Sequence, residues 1–356
     1  MTQYFLSSYI VTIVGIITAF LWGNHIQSGF GIQAAFIALV LAILETSLSF
    51  DNAVVNAMKL EKMPKIWKRR FLTWGILIAV FGMRFLFPIL VVSIFAQISM
   101  GEVLKIALSD ADKYAFYLTQ THAPIVTFGG MFLIMLFFNY FFNHEKDIHW
   151  IQMIEKPLSK LDHFRGLQVV LSLIMLIITA NFIPFESKTS VLTAGIFGVI
   201  TYLTIDGFTK FLEKHEHIRE SKCCENPLKC TGLISFIYLE LIDASFSLDG
   251  VLGAFALSKD IVIIAIGLGI GAMFVRSLTV MLVEKKTLKQ LRYLEHGAHW
   301  AIGALACLML ISTVKEIPEV ITGLIGLIFI VSALISSIKY NIKMNKLIAG
   351  KGENNA

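Results

Sequence analysis

Residues 45–52 read ETSLSFDN and residues 243–250 read DASFSLDG. At an offset of 198, Glu45 matches Asp243, Ser47 matches Ser245, Ser49 matches Ser247 and Asp51 matches Asp249. The shared pattern is acid-x-Ser-x-Ser-x-Asp-[Asn/Gly]. It gathers carboxylate, hydroxyl and amide oxygens without a thiol or an imidazole. Such a donor set suits a hard divalent ion, Mn²⁺, Ca²⁺ or Mg²⁺. Glu45, Asp51, Asn52, Asp243 and Asp249 are therefore candidate ligands. Ser47, Ser49, Ser245, Ser247 and Asn56 are supporting oxygens, with Asn56 one turn past Asn52 on nearly the same helix face.

Each motif interrupts a long apolar stretch, AAFIALVLAIL before the first and AVVNAM after it. The 356 residues are 56% hydrophobic and only 15% charged, against about 25% charged in soluble proteins. Ten stretches approach the ~20 residues that cross a bilayer: 4–22, 32–58, 71–97, 122–142, 167–184, 190–208, 231–257, 261–283, 297–314 and 317–338. The expected fold is an all-α polytopic membrane protein of about ten transmembrane helices. The first span has no basic residue before it and no small-residue cleavage site after it, and reads as a retained helix. With both termini cytoplasmic, 23 of the 30 Lys and Arg fall in inner segments and five in outer ones, a strong positive-inside bias. The net charge of +5 thus marks topology and contact with the lipid surface, and nucleic acid is not an expected partner. Cys223, Cys224 and Cys230 fall in an expected cytoplasmic loop, where thiols stay reduced.

The similarity extends past the motifs. GILIAVFGMR (75–84) lies over GLGIGAMFVR (267–276), each ending in an intramembrane arginine, Arg84 and Arg276. HAPIVTFG (122–129) lies over HGAHWAIG (296–303), so His122 matches His296. Three helices recur in order, and the positive-inside rule gives the two copies opposite directions. Inverted repeats with broken polar helices at the midplane are characteristic of secondary transporters. The organisation is an extra N-terminal helix (1–30), repeat 1 (31–143), a connector with two extra helices (144–230), repeat 2 (231–314) and a last helix with a basic tail (315–356). In a regular helix Glu45, Ser49 and Asn52 share one face while Ser47 and Asp51 share another. The two acids converge on one ion only if the helix opens locally, as clustered serines favour. Inversion then pairs Glu45 with Asp249 and Asp51 with Asp243. Counting those four carboxylates against Arg84 and Arg276 leaves two negative charges, which a divalent cation would neutralise. The bland alternative is that the arginines clamp the acids as internal cross-links. Against it stands the cost of intramembrane charge, which points to function.

ETSLSFDN, a basic loop and a helix with a mid-span arginine together resemble the TerC-type tellurium-resistance membrane proteins. The doubled form resembles a TerC relative within the LysE exporter superfamily. The resemblance covers about 31–143 and 231–314. It carries Glu45, Asp51 and Asn52 onto the first family motif, and Asp243, Ser247 and Asp249 onto the second. Gly250 departs, since the family usually has Ser or Asn there. The resemblance implies export of metal ions, manganese foremost, and a link to tellurite and envelope stress.

The resulting expectation is a bacterial inner-membrane exporter of a divalent metal. The metal would be substrate, with no prosthetic group; the chain would not be an enzyme, and a homo-oligomer is compatible with it. Export of basic amino acids is the alternative, as is a stress-response membrane protein without direct metal transport. Arg84, Arg276, His122 and His296 are gating or charge-pairing candidates, although helix-end histidines at the headgroup level are the simpler explanation of the last two. KHEHIRESKCCENPLKC (214–230) has no standard zinc spacing. WIQMIEKPLSKLDHF (150–164) reads either as an interfacial helix or as a packed connector.

Overall fold

The computed structural model describes residues 2–353 except 64, 79–81, 83–84, 144–147, 161–165, 220–235, 238, 241–242, 244–253, 255–256, 259, 285–290, 316 and 318. At some other positions, Asp51 among them, only the backbone is described. The described residues form helices and no strand. In order these are α1 (Thr2–Ile26), α2 (Gly31–Leu48), α3 (Phe50–Lys62), α4 (Lys65–Leu77), α5 (Phe87–Ala96), α6 (Met100–Ser109) and α7 (Ala111–Gln120). There follow α8 (His122–Phe141), α9 (Gln152–Lys160), α10 (Leu167–Asn181), α11 (Phe185–Arg219), α12 (Ile261–Glu284), α13 (Leu294–Ser312) and α14 (Glu319–Glu353).

Six of them, α1, α8, α11, α12, α13 and α14, hold apolar stretches of 19 to 24 residues, enough to cross a bilayer. A further apolar helix pair, Gly31–Ser47 and Asn52–Glu61, is bent by 56° at a short break. The surface explains why these helices need lipid. On α1, Leu6, Ile13, Val14, Ile17 and Leu21 are more than half exposed, as are Ile32, Phe36 and Ile43 on α2. So large an apolar surface is tolerated in hydrocarbon and is an aggregation liability in water. The protein is membrane-embedded.

The described spans are fewer than the ten expected. Residues 167–184 yield α10, whose 15 residues reach only about 22 Å, short of the ~30 Å core. Along 71–97 the chain forms the end of α4 and the ten-residue α5, with 79–81 and 83–84 outside the described residues. Most of 231–257 also lies outside them. The expected outer loop 98–121 instead forms two short helices, α6 and α7. Ser99 accepts from Glu102 N at 3.3 Å and Asp110 from Lys113 N at 3.0 Å as their N-caps.

Side-chain contacts fix relative directions. Ser8 Oγ donates to Met273 O at 2.9 Å and lies 2.7 Å from Ser277 Oγ, while Trp22 Nε1 donates to Asp260 Oδ2 at 3.1 Å. Helix α1 is thus antiparallel to α12. Gly267 meets Ala38 and Leu41, and Gly271 meets Ala42 and Glu45, so α2 runs parallel to α12. Helix α8 is antiparallel to α13, with Tyr140 stacked on His299 at 3.5 Å and Gly130 against Ala306. Helix α14 is antiparallel to α13 through Ser337, which accepts from Tyr293 N at 2.9 Å.

The α2–α12 contact is backbone-close because both glycines lack a side chain. A Cβ at Gly271 would stand 2.5 Å from Glu45 Cβ and 2.9 Å from Ala42 O. Gly271→Val should therefore lower the thermal midpoint of the detergent-solubilised protein, with an overpacking cost of about 1–3 kcal/mol. Gly101→Ala, a position with nothing within 4 Å, should leave it unchanged or slightly raised. Fluorescence-detected gel filtration after heating measures both.

Candidate functional site

The first motif bends its helix. Thr46 Oγ1 donates to Ala42 O at 2.7 Å and Ser47 Oγ to Ile43 O at 2.8 Å, bonds that compete with the helical ladder and favour bending. The break falls at Ser49 (φ −92°, ψ 22°), whose hydroxyl donates to Glu45 Oε1 at 3.0 Å. The local opening expected of the serine-rich motif is therefore present. Ser47 itself is exposed and bonded to its own helix, off the face that buries Glu45.

Beyond the break, α3 starts a turn that carries Asn52 and Asn56 inward. Asn52 Nδ2 donates to Asp243 Oδ1 at 2.6 Å, and Asn56 Nδ2 donates to the same oxygen at 3.3 Å. The second half of the first motif thus meets the first acid of the second motif. The expected pairing of Asp51 with Asp243 lies outside the described side chains, and the residue after Asp51 bonds to Asp243. All three residues are at least nine-tenths buried. Beside them Asn56, Asp243, Arg276, Thr279, Phe71, Ala272 and Val275 enclose a cavity of about 10 Å³, room for about one water. Asn56 Oδ1 makes no hydrogen bond among the described residues. Glu45 packs on Gly271, one residue before the cavity-lining Ala272 of α12.

Arg276 lines the same cavity as Asp243. Its Nη2 donates to Phe71 O, and the guanidinium carbon sits 3.8 Å from the centre of the Phe71 ring. Phe71 and Gly75 are one turn apart on α4, and the missing side chain at Gly75 makes the notch. A Cβ there would overlap the guanidinium and lie 2.6 Å from Glu240 Oε1. Glu240 is a buried residue that reading by motif overlooked. Its signal was present, since it lies within the apolar stretch 231–257, three residues before Asp243. Including it corrects the intramembrane balance from two negative charges to three.

Arg84, Ser245, Ser247 and Asp249 lie outside the described residues, and Asp51 is described only as backbone in the first turn of α3. Glu45–Asp249 pairing therefore falls outside as well, as does 220–230 of the Cys/His loop. Among the described residues, no three His, Cys, Asp or Glu side chains form a metal-ligand group. His122 opens α8 and His296 lies near the start of antiparallel α13, so the two mark opposite ends of one helix pair.

His296 belongs to a second polar centre. Its Nδ1 lies 3.0 Å from Glu155 Oε2, and Trp300 Nε1 donates to Glu155 Oε1 at 3.0 Å. Trp150 N and Ile151 N donate to the same carboxylate at 2.8 and 3.2 Å, and His149 Nδ1 stands 3.8 Å away. Glu155 is 1% exposed, whereas Met153 is 88% exposed. The connector segment is thus docked on α13 through a buried carboxylate and turns an apolar side chain outward. Burial alone pushes the Glu155 carboxyl up, but His296, Trp300 and the Ile151 amide outweigh it and hold the group at about 2.

A carboxyl depressed below its ordinary 4.5 stabilises the folded form fully above that value and loses the contribution as pH falls through about 2. The Trp150 and Ile151 amides should keep their hydrogen-exchange protection at neutral pH and lose it progressively between those limits, after correction for intrinsic rates. Glu155→Ala should remove the protection at pH 7, since it leaves the Trp150 and Ile151 amides and the Trp300 indole without their acceptor, at a cost of about 1–3 kcal/mol for each buried donor. Unchanged protection in that variant would refute the docking role.

Comparison with known proteins follows this geometry. Residues 50–344 match the model of DUF475, a family described as proteins of unknown function, and the match begins inside the first acidic motif. No curated protein and no solved structure matches the chain. With the match spanning most of its length, the chain belongs to the DUF475 family.

Proposed function

We propose that this protein is a membrane transporter that moves a divalent metal ion, Mn²⁺ foremost, through the buried site at Asp243. The observation that carries the reading is the convergence of two amide N–H groups on one carboxylate oxygen at a water-sized cavity, with Asn56 Oδ1 left without a hydrogen bond there. Two amide donors act as stand-ins for a cation. Turning either amide about its last side-chain bond exchanges N–H for C=O and presents an oxygen to an arriving ion. Asp243, Asn52 and Asn56 would then supply hard oxygen ligands, with Thr279 Oγ1 at the cavity wall. Glu45, Asp51 and Asp249 are the further acids proposed for the pathway, with Ser49, Ser245 and Ser247 in support.

The 56° break at Ser49 supports alternating access, because Asn52 and Asn56 ride on α3 while Glu45 rides on α2. Rocking about that break would move one half of the ligand set relative to the other. An inverted repeat is supported by crosswise packing. Helix α12 of the second half lies on the first motif helix at Gly267 and Gly271, while α4 of the first half meets Glu240 of the second motif segment at Gly75. The basic-loop bias supports a cytoplasmic location for both termini, and the motif resemblance supports a TerC-like role in export. A space that admits about one water favours a small ion over a basic amino acid. We assign no enzymatic activity.

Reconstituted liposomes carrying a metal-sensing dye should report Mn²⁺ flux, with Ca²⁺, Mg²⁺ and lysine as competitors. Asp243→Asn and Asn56→Ala should each slow it by about 10- to 100-fold, the equivalent of losing ~1.5–3 kcal/mol of charged or amide ligation. Wild-type flux unchanged in a correctly inserted Asp243→Asn variant would end the site assignment.

A further inference from the structure

The cavity that carries the proposed cation site also has a guanidinium in its wall. Arg276 and Asp243 both line it, and both are more than nine-tenths buried. Left to itself, the guanidinium would neutralise Asp243 and repel any metal ion entering beside it. Something must hold its charge elsewhere.

The geometry points to Glu240 as the counter-ion that occupies Arg276 and so reserves Asp243 for the cation; this rests on the transport reading above. Three observations converge. The guanidinium is drawn to the α4 side, where Nη2 donates to Phe71 O and the Phe71 ring lies under it at 3.8 Å. The Gly75 notch admits both that guanidinium and Glu240 Oε1, and any side chain there would meet both. Glu240 and Asp243 stand three residues apart in the sequence, and the guanidinium that shares the Gly75 notch with Glu240 also lines the cavity beside Asp243, so a single guanidinium is offered two carboxylates.

Which carboxylate Arg276 faces sets the charge of the site. Facing Glu240, the arginine is balanced and Asp243 keeps its negative charge for a guest. Facing Asp243, the arginine fills the place of the ion and closes the site. Phe71 O and the Gly75 notch hold the first arrangement. The first motif has no equivalent device, because Ala42 stands at the position corresponding to Glu240. The two halves of the pathway are therefore unequal, and the second carries the switch.

Mn²⁺ binding to the purified full-length protein, measured by equilibrium dialysis in detergent, tests this. Glu240→Gln should weaken binding about tenfold or more, since the freed guanidinium turns to Asp243. Arg276→Gln should bind at least as tightly as wild type. The double variant should return to within about threefold of wild type, a rescue that lost packing would not produce. Wild-type affinity in Glu240→Gln, or a loss that Arg276→Gln does not rescue, overturns the inference while leaving the cation site standing. If Glu240→Gln fails to fold by gel filtration, Arg276→Gln decides: weaker binding than wild type overturns it. A wild-type protein that binds no Mn²⁺, Ca²⁺ or Mg²⁺ overturns the transport reading and this inference together.

Discussion

Removing a carboxylate or a guanidinium from water costs several kcal/mol unless a partner or hydrogen-bond donors replace the lost solvation. Glu45, Glu240, Asp243 and Arg276 all sit inside an apolar helical bundle under this constraint. For three of them the device is local. Ser49 donates to Glu45, two asparagines donate to Asp243, and a helix carbonyl with an aromatic face receives Arg276. Those devices in turn dictate backbone geometry. Asn52 reaches Asp243 from beyond the break in the first motif helix, and Arg276 reaches Phe71 O because α4 has a glycine one turn on.

The contrast between the two polar centres separates structure from function. Glu155 is saturated, with two backbone amides, an indole and an imidazole around its two oxygens. Its carboxyl is held far below the usual range, and what it accomplishes is docking a connector onto α13. Asp243 differs in having a cavity beside it and an amide oxygen nearby with spare capacity. A buried polar cluster that is complete reads as a fastener. One that leaves room and lone pairs reads as a place for a guest.

Close helix contacts set how far such a site can be tuned. Gly267 and Gly271 bring α12 against α2 at backbone distance, which sets Glu45 of α2 beside the part of α12 that lines the Asp243 cavity. Without a hydrophobic drive between helices in lipid, such contacts depend on fitted surfaces and interhelical hydrogen bonds. The Ser8–Ser277 and Trp22–Asp260 contacts clamp the extra helix α1 at both ends in the same way.

Composition alone determined that the chain lives in a membrane, because 56% hydrophobic residues cannot be hidden in one soluble core. The serines of the first motif foretold the break at Ser49, since hydroxyls that compete for carbonyls act locally. Which groups meet across helices was not legible. Periodicity places residues on a face, but the bond from Asn52 to Asp243 depends on the 56° turn of α3. Span counting overreached at 167–184, since apolar composition there outruns helix length. Glu240 was visible as a letter and silent as a partner: its role exists only where Gly75 of a distant helix leaves a gap for Arg276. Local chemistry is written along the chain, whereas the pairing of buried charges is decided by which backbones can approach closely enough in three dimensions.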